Sequence, residues 1–418
     1  MAKLMPWGET LKVLLDAGFI ANSFTLDYST LGGPNVLDGS TEFVDVTEWV
    51  LSVAISRGRT DLLRPAFQPG VCQIVLDDRA ANRAFDPANT ASPYYEGDLG
   101  IAPRRFLEVY GGTAGTEPLF VGRVQDLDIE YQQPNNSLCT IVGVDGLSDF
   151  AKTTLRAFNP SQQLTSARVT AILDRPEVSY STATRAISTG VATLGTFAYS
   201  DGDNVAQALQ QVAESEDGRF FVAKNGYATF QPRTSFTFST AVIHFSDQNN
   251  TGLVPYQSLD VGYGAETLWN SAIVTTKGNA VGTAIGTASV AEYGISNYSI
   301  NDVPLLNATE AANLAQEIVN RYEEPKSRFT QIGVLVNGLS GANIQALDAL
   351  DVGSVTKVTK TFTTGSPSSI SQDVFIERIA HQITPQAHQI TLGLGDANVI
   401  TAFILDTSQL NDIDVGLG

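Results

Sequence analysis

The feature that most constrains this chain is a series of short apolar runs. Each is cut off within a few residues by Gly, Pro, Asn or Asp. Trp49–Ser56, Cys72–Asp77, Phe106–Tyr110, Leu119–Arg123, Leu127–Tyr131 and Leu138–Val144 follow one another with Gly and Pro turns between them. Runs this short, rich in β-branched residues and bounded by turn residues, are strands of an antiparallel sandwich or barrel. The composition agrees: charged residues are 17% of the 418, below the usual ~25%, and Ser, Thr, Gly and Asn take their place. The hydrophobic share of 43% is enough for ordinary cores.

The period changes between Asp145 and Gln231. Ser166–Leu173 reads as a helix, and Asn204–Asp217 as a better one, with Val205, Leu209, Val212 and Ala213 on one face. Asp203 is the expected N-cap and Gly218 the left-handed stop. Arg219–Ala223 and Tyr227–Gln231 flank Lys224-Asn225-Gly226, a hairpin signal because a type I′ turn needs positive φ twice. From Ala241 the strand pattern returns at Thr330–Val336, Gly353–Thr359, Val374–Thr384 and Gln389–Leu394, the last two joined through Pro385-Gln-Ala387. One helix interrupts it, Ala308–Glu323, capped by Asn307 with Glu310 at capping-box spacing and stopped by Pro325.

The fold class expected is therefore α+β, mainly β. The segments are an extended N-terminal arm (1–35), a first β block (36–149), a small α/β module (150–240), a second β block with one helix (241–405; helix 308–323) and a C-terminal tail (406–418).

Charge and cysteine usage exclude several functions. A net charge of −19 repels phosphate backbones, so specific nucleic-acid binding is not expected. No run approaches the ~18 apolar residues of a membrane span. Glu9 and Asp16 interrupt any apolar core near the N-terminus, which does not read as a signal peptide. Cys72 and Cys139 sit in strand-like runs and are expected to be buried, reduced thiols.

Catalytic sets are hard to find. The sequence has no GxSxG elbow, Walker loop, HExxH or strand-following GxGxxG; Gly338-Leu-Ser-Gly341 is one residue short of an elbow and reads as a loop. His381 and His388 lie on opposite arms of the last hairpin and can approach, but a metal site needs a third ligand, so strand or surface roles are expected. His244 stands alone. Asp247–Gly252 begins like a calcium loop but has Ser258 where the bidentate Glu belongs. Asp77-Asp78 and Asp86 are a conceivable carboxylate pair with Arg79 and Arg83 at hand to neutralise it. The densest basic stretch, Arg57-Gly-Arg59 with Arg64 and Arg79–Arg83, reads as surface ion pairing or as a dock for an acidic neighbouring subunit. No catalytic, cofactor-binding or metal residues are assigned, and no enzymatic activity is expected.

A further set of segments stands together. It runs Asp45-Val-Thr-Glu-Trp-Val-Leu-Ser-Val-Ala-Ile-Ser-Arg-Gly-Arg59, Phe67-Gln-Pro-Gly70, Leu76-Asp-Asp-Arg79, Phe85-Asp-Pro-Ala-Asn89, Ser92-Pro-Tyr-Tyr95, Pro103-Arg104 and Leu119-Phe-Val-Gly-Arg123. Ala213–Val222, Asn225-Gly226, Arg233, Arg321-Tyr-Glu-Glu-Pro325 and Ile376-Glu-Arg-Ile-Ala-His381 follow. In this order, over about residues 36–395, they resemble the minor tail proteins of long-tailed actinobacterial phages, relatives of baseplate hubs. The resemblance implies two tail-tube-like β-barrels with an α/β module between them, and a homotrimer closing or extending the tail tube at the tail tip. It also implies a DNA channel and attachment platform. The implied partners are tail tube or distal tail ring proteins, a tape measure protein and tail fibre or spike proteins. The implied location is the virion, after assembly in the host cytoplasm. It carries no catalytic residues and no cofactor. The alternatives are a distal tail or adaptor ring protein and a cell-surface glycan binder; Trp7, Trp49 and Trp269 are too scattered in sequence to favour the latter.

Overall fold

The computed structural model describes residues 3–16, 43–59, 66–94, 101–133, 136–236, 240–248, 250 and 252–397, with the backbone of 401–402 and 415–416. Arg64, Tyr95, most of the expected N-terminal arm and nearly all of the expected C-terminal tail lie outside the described residues.

The first β block has eight strands: β1 (Lys3–Leu4), β2 (Thr10–Asp16), β3 (Phe43–Asp45), β4 (Val50–Gly58), β5 (Gln68–Asp77), β6 (Phe106–Gly111), β7 (Glu117–Gln132) and β8 (Asn136–Val144). They pair in the order β1-β2-β6-β7-β8-β5-β4, with β3 beside β2. The two strands expected at Leu119–Arg123 and Leu127–Tyr131 are one strand, β7, in which a bulge between Val124 and Asp126 lets the pairing continue. The N-terminal arm is corrected in part. Residues 10–16 form a strand between β6 and β3, because Leu11, Val13 and Leu15 alternate into the core at period two.

The second β block joins the same sheet. Ser369–Ile383 pairs with Val355–Thr361, which leads through His244–Ser246 to Val254–Pro255. Its other edge meets His388–Asp396, then Arg328–Leu335, then Ser258–Gly262. The blocks meet where β4 pairs antiparallel with Ser369–Ile383, from Val53↔Ile383 to Gly58↔Arg378. Two separate closed barrels, as expected, are not what this pairing gives. Fifteen of the described strands, from both blocks, form one sheet. Each block still curls: the strands at its two ends are sequence neighbours, β3 and β4 in the first, Val254–Pro255 and Ser258–Gly262 in the second.

Residues 147–236 carry helices α1 (Leu147–Lys152), α2 (Thr165–Leu173) and α3 (Val205–Glu214) and a three-stranded sheet of Arg185–Ile187, Ala228–Gln231 and Arg219–Val222. Asn204, not Asp203, caps α3 by accepting from the Gln207 N–H at 3.1 Å. Asp217, at φ 53°, makes the left-handed turn expected of Gly218.

A second small unit was not anticipated. Ser271–Thr276, Val281–Ile285 and Asn297–Val303 form their own sheet, with α4 (Thr287–Tyr293) beside it. Helix α5 (Ala308–Tyr322) packs on this sheet rather than on the second β block, burying Ala311, Leu314, Ala315, Ile318 and Val319. Its Asn307 cap accepts from the Glu310 N–H at 3.0 Å. Helix α6 (Gly341–Ala349), capped by Ser340, occupies the segment read as a loop after Gly338.

Candidate functional site at the seam between the β blocks

The core side of the seam comes from simple alternation. On β4, Val53, Ile55 and then Arg57 point inward; on the facing strand, Ile379, His381 and Ile383 do so. Each buried aliphatic side chain contributes about 1.5–3 kcal/mol, so the register is strongly set. The period that buries Val53 and Ile55 also carries Arg57 into the interior, where it must be paired.

Arg57 pairs with Asp351, whose other oxygen accepts from the Lys224 N–H at 2.9 Å. Arg59 makes a two-point ion pair with Glu377, a residue fully buried at a bulge between Ile376 and Arg378. Arg219, from the α/β module, reaches the same carboxylate at 3.4 Å and lies 3.9 Å over the Phe375 ring. Burial draws the Arg219 guanidinium down to about 10, with Glu377 opposing that shift. For Arg59 burial also works against the charge, but Glu377 outweighs it and the net shift is upward. Arg57 and Arg59 are thus not on the surface and not a dock for another subunit, whereas Arg79 and Arg83 stay exposed and Arg83 pairs with Asp86 as a surface ion pair. Arg57 and Arg59 tie the two β blocks and the α/β module together.

Two glycines make this possible. Gly58 has φ +108°, and a Cβ there would stand 2.1 Å from the Glu377 carbonyl oxygen, which accepts from the Arg59 N–H at 3.0 Å. A Cβ on Gly70 would lie 2.6 Å from an Asp145 oxygen and 2.9 Å from Arg57 Cγ. Asp145 accepts from the Gly70 N–H at 2.7 Å and the Leu147 N–H at 2.9 Å. Burial nevertheless pushes its carboxyl up to about 7.

A second buried cluster lies further along the seam. His381 Nδ1 is 3.0 Å from His388 Nε2, and His388 Nδ1 is 2.7 Å from Glu9 Oε2. Glu9 Oε2 also accepts from Trp7 Nε1 at 2.7 Å. Asp348 of α6 accepts from the Gly112 N–H at 2.8 Å. One ligand atom from each of Glu9, Asp348 and His388 lies within 4.8 Å of the others, and all three residues are buried. Burial, then Glu9, push the Asp348 carboxyl up to about 7. Burial, then His388, hold His381 well below the ordinary imidazole value. The two histidines do approach as their hairpin positions suggested, but in the interior. Glu9 and Asp348 went unnoticed. Ser340 followed by Ile344 and Leu347 was the signal for a capped helix carrying Asp348 on its buried face.

The other sequence candidates do not assemble. Asp78 accepts from the Phe85 N–H at 3.0 Å and Ser137 Oγ at 2.9 Å, while Asp86 is held by Arg83 and by Tyr131 Oη at 2.8 Å, so no carboxylate pair exists there. Asp247 is taken by Lys360 Nζ at 2.7 Å and the Thr361 N–H at 3.1 Å; Asn249 and Thr251 of that loop lie outside the described residues. His244 contacts Thr359 Oγ1 at 2.8 Å. Cys139 lies opposite Leu76, four residues along β5 from Cys72. That is about 13 Å at strand rise, beyond disulfide reach. Burial pushes the Cys139 thiol up to about 12 and the Cys72 thiol higher still.

On its solvent side the seam is uncharged over several rungs. Gln389, Gln382, Ala54 and Gln73 form one rung; Thr391, Ala380, Ser56 and Val71 form the next. Arg378 marks the end, its guanidinium 3.3 Å from Ser56 Oγ.

No protein-family model matches the sequence, and no curated protein sequence matches it either. Solved structures do match. The tail protein from Neisseria meningitidis MC58 aligns over 93% of this chain and 97% of its own, with TM-score 0.57 at 11% identity. The 43 kDa tail protein of prophage MuSo2 from Shewanella oneidensis aligns over 93% and 98%, with the same TM-score and identity. The chain therefore shares the mainly β fold of these tail proteins, across essentially its whole length and theirs. No helix among the described residues is long and apolar enough to cross a membrane.

Proposed function

We propose that this chain is a non-enzymatic structural protein of a phage tail tip, of the baseplate-hub kind, and that three copies form a ring around the DNA channel. The observation that carries the reading is the β4 seam. It joins two β blocks side by side in one sheet, with ion-paired arginines behind it and an uncharged polar face in front. A channel wall must let DNA pass without neutralising its phosphates, since each neutralised phosphate releases counterions and strengthens binding. Rungs of Gln, Ala, Ser and Thr satisfy that demand, and the net charge of −19 reinforces it.

Three chains with two blocks each supply six blocks, enough to meet a six-fold tube above and a three-fold fibre or spike below. Closed rings of this kind need interfaces that repeat at a fixed rotation. The fold shared with two tail proteins supports the tail assignment, and the tail tube, distal ring, tape measure and fibre or spike proteins are the proposed partners in the virion. The test is a reconstruction of the tail tip at side-chain resolution. Three copies with Gln73 and Gln382 facing the lumen are expected. Six copies in one ring, or one β block hanging outside it, would overturn the hub reading in favour of a distal tail adaptor.

A further inference from the structure

The cluster at the far end of the seam has a property the arginine cluster lacks. Two of its carboxylate oxygens, Glu9 Oε1 and Asp348 Oδ1, are buried and meet no donor. Bare carboxylate oxygens in the interior are costly, because water has been removed and nothing replaces it. The opposite atom of each side chain is fixed from behind. Glu9 Oε2 is held by Trp7 Nε1 at 2.7 Å, Asp348 Oδ2 by the Gly112 N–H at 2.8 Å, and His388 Nε2 faces His381 Nδ1 at 3.0 Å. Glu9 and Asp348 are thus each oriented by one oxygen and keep the other without a donor, while His388 Nδ1 faces Glu9 Oε2 at 2.7 Å. Metal ligands are commonly arranged this way, with an outer hydrogen bond setting the rotamer or tautomer of the inner ligand.

We propose that one carboxylate oxygen each from Glu9 and Asp348 and a ring nitrogen of His388 bind a divalent transition-metal cation, zinc by preference, that clamps the N-terminal turn, helix α6 and the C-terminal hairpin together. The chemistry fits zinc better than calcium or magnesium: one imidazole nitrogen and two carboxylates suit a small N/O site, whereas the alkaline-earth ions want six or more oxygens. The size also fits. A cation about 2.1 Å from each ligand spans atoms up to about 4.2 Å apart, so atoms within 4.8 Å close on it with shifts of a few tenths of an ångström. The charge balances as well, two carboxylates and a neutral imidazole against two positive charges. The cation takes the place of the hydrogen bond between His388 Nδ1 and Glu9 Oε2, and the His388 ring proton then resides on Nε2 and is donated to His381. Lys224, a nearby cation, is occupied: its Nζ donates to Glu117 Oε1 at 2.7 Å and to the Asp348 backbone carbonyl at 2.5 Å. The clamp is structural, since the site is sealed from solvent. It joins residues 379 positions apart in the chain.

The experiment uses the full-length protein purified without chelators. Elemental analysis after gel filtration should find about one equivalent of zinc per chain, and zinc-edge anomalous diffraction should place one peak between Glu9, Asp348 and His388. Stripping with a chelator should lower Tm by about 5 °C, and zinc should restore it. Cobalt substitution should give visible d–d bands that Asp348→Asn and His388→Gln abolish. Absence of bound zinc after incubation and gel filtration, or an anomalous peak elsewhere, would overturn the proposal and leave a proton shared between the two carboxylates. The wild-type diffraction result decides the matter even where a variant does not fold. It is independent of the hub reading, which stands or falls on the assembled ring.

Discussion

Two buried polar clusters back the same strand pair, and they are balanced differently. At one end, Arg57, Arg59 and Arg219 meet Asp351, Glu377 and Asp145, so cations and carboxylates are equal in number. At the other, Glu9 and Asp348 face the His381–His388 pair and keep oxygens without donors. In the first cluster each arginine has a carboxylate counter-charge, although Arg57 Nε and Nη1 meet no acceptor; in the second it is carboxylate oxygens that meet no donor. Burial of ionised groups is tolerated only with close partners. Hence the arginine end should be sensitive to side-chain deletion and the histidine end to what occupies it.

The largest effect should come from breaking the balanced end. Glu377→Gln leaves Arg59 and Arg219 buried without their shared counter-charge and should cost about 3–5 kcal/mol, read by urea denaturation. A loss under about 1 kcal/mol would show that the ion pairs do not hold the seam.

The next effect depends on pH. Asp145 titrates near 7 in the folded chain, against an ordinary value of 3.8. The folded state therefore binds the extra proton between these values. Its contribution is fully present below about pH 4 and is lost as pH rises through about 7. On the order of 4 kcal/mol is at stake. Denaturation midpoints measured from pH 4 to 8 should fall more steeply for the wild type than for Asp145→Asn. Equal slopes would place the titration elsewhere.

Gly58→Ala should cost about 2–3 kcal/mol, because a side chain there combines a positive φ with a clash against the Glu377 carbonyl. Differential scanning calorimetry measures this, and an unchanged Tm would mean that the bulge relaxes freely. The smallest effect belongs to the opposite face of the same strands. Gln73→Lys and Gln382→Lys touch neither cluster and should change stability by less than about 0.5 kcal/mol. In phage carrying both, particles should assemble while genome release slows, as measured by dye-detected ejection. Normal release would remove the channel-wall role from this face.

Much of this molecule could be read from local pattern. The strands around Cys72, Phe106 and Leu138, the Asn-Gly hairpin, and the Asn307-capped helix all appear where periodicity and turn residues put them. Such signals are local, since a strand or helix is set by the alternation of neighbours within a dozen residues. Where they were weak the reading failed. Leu11, Val13 and Leu15 alternate over too short a run to stand out, and nothing local separates Ser271–Val303 from the second β block although it forms a sheet of its own.

The sequence by itself determined a mainly β chain with a helical interlude, a net charge of −19, and two histidines placed to meet across a hairpin. Only the tertiary structure decided that β4 joins a strand more than 300 residues away, that Arg57 and Arg59 face inward, and that Glu9 and Asp348 converge on His388. The reason is physical. Alternation says that every second residue of a strand is buried, but not what waits on the other side. An arginine at an inward position is tolerable only where a distant carboxylate arrives, and that arrival is a property of the assembled sheet.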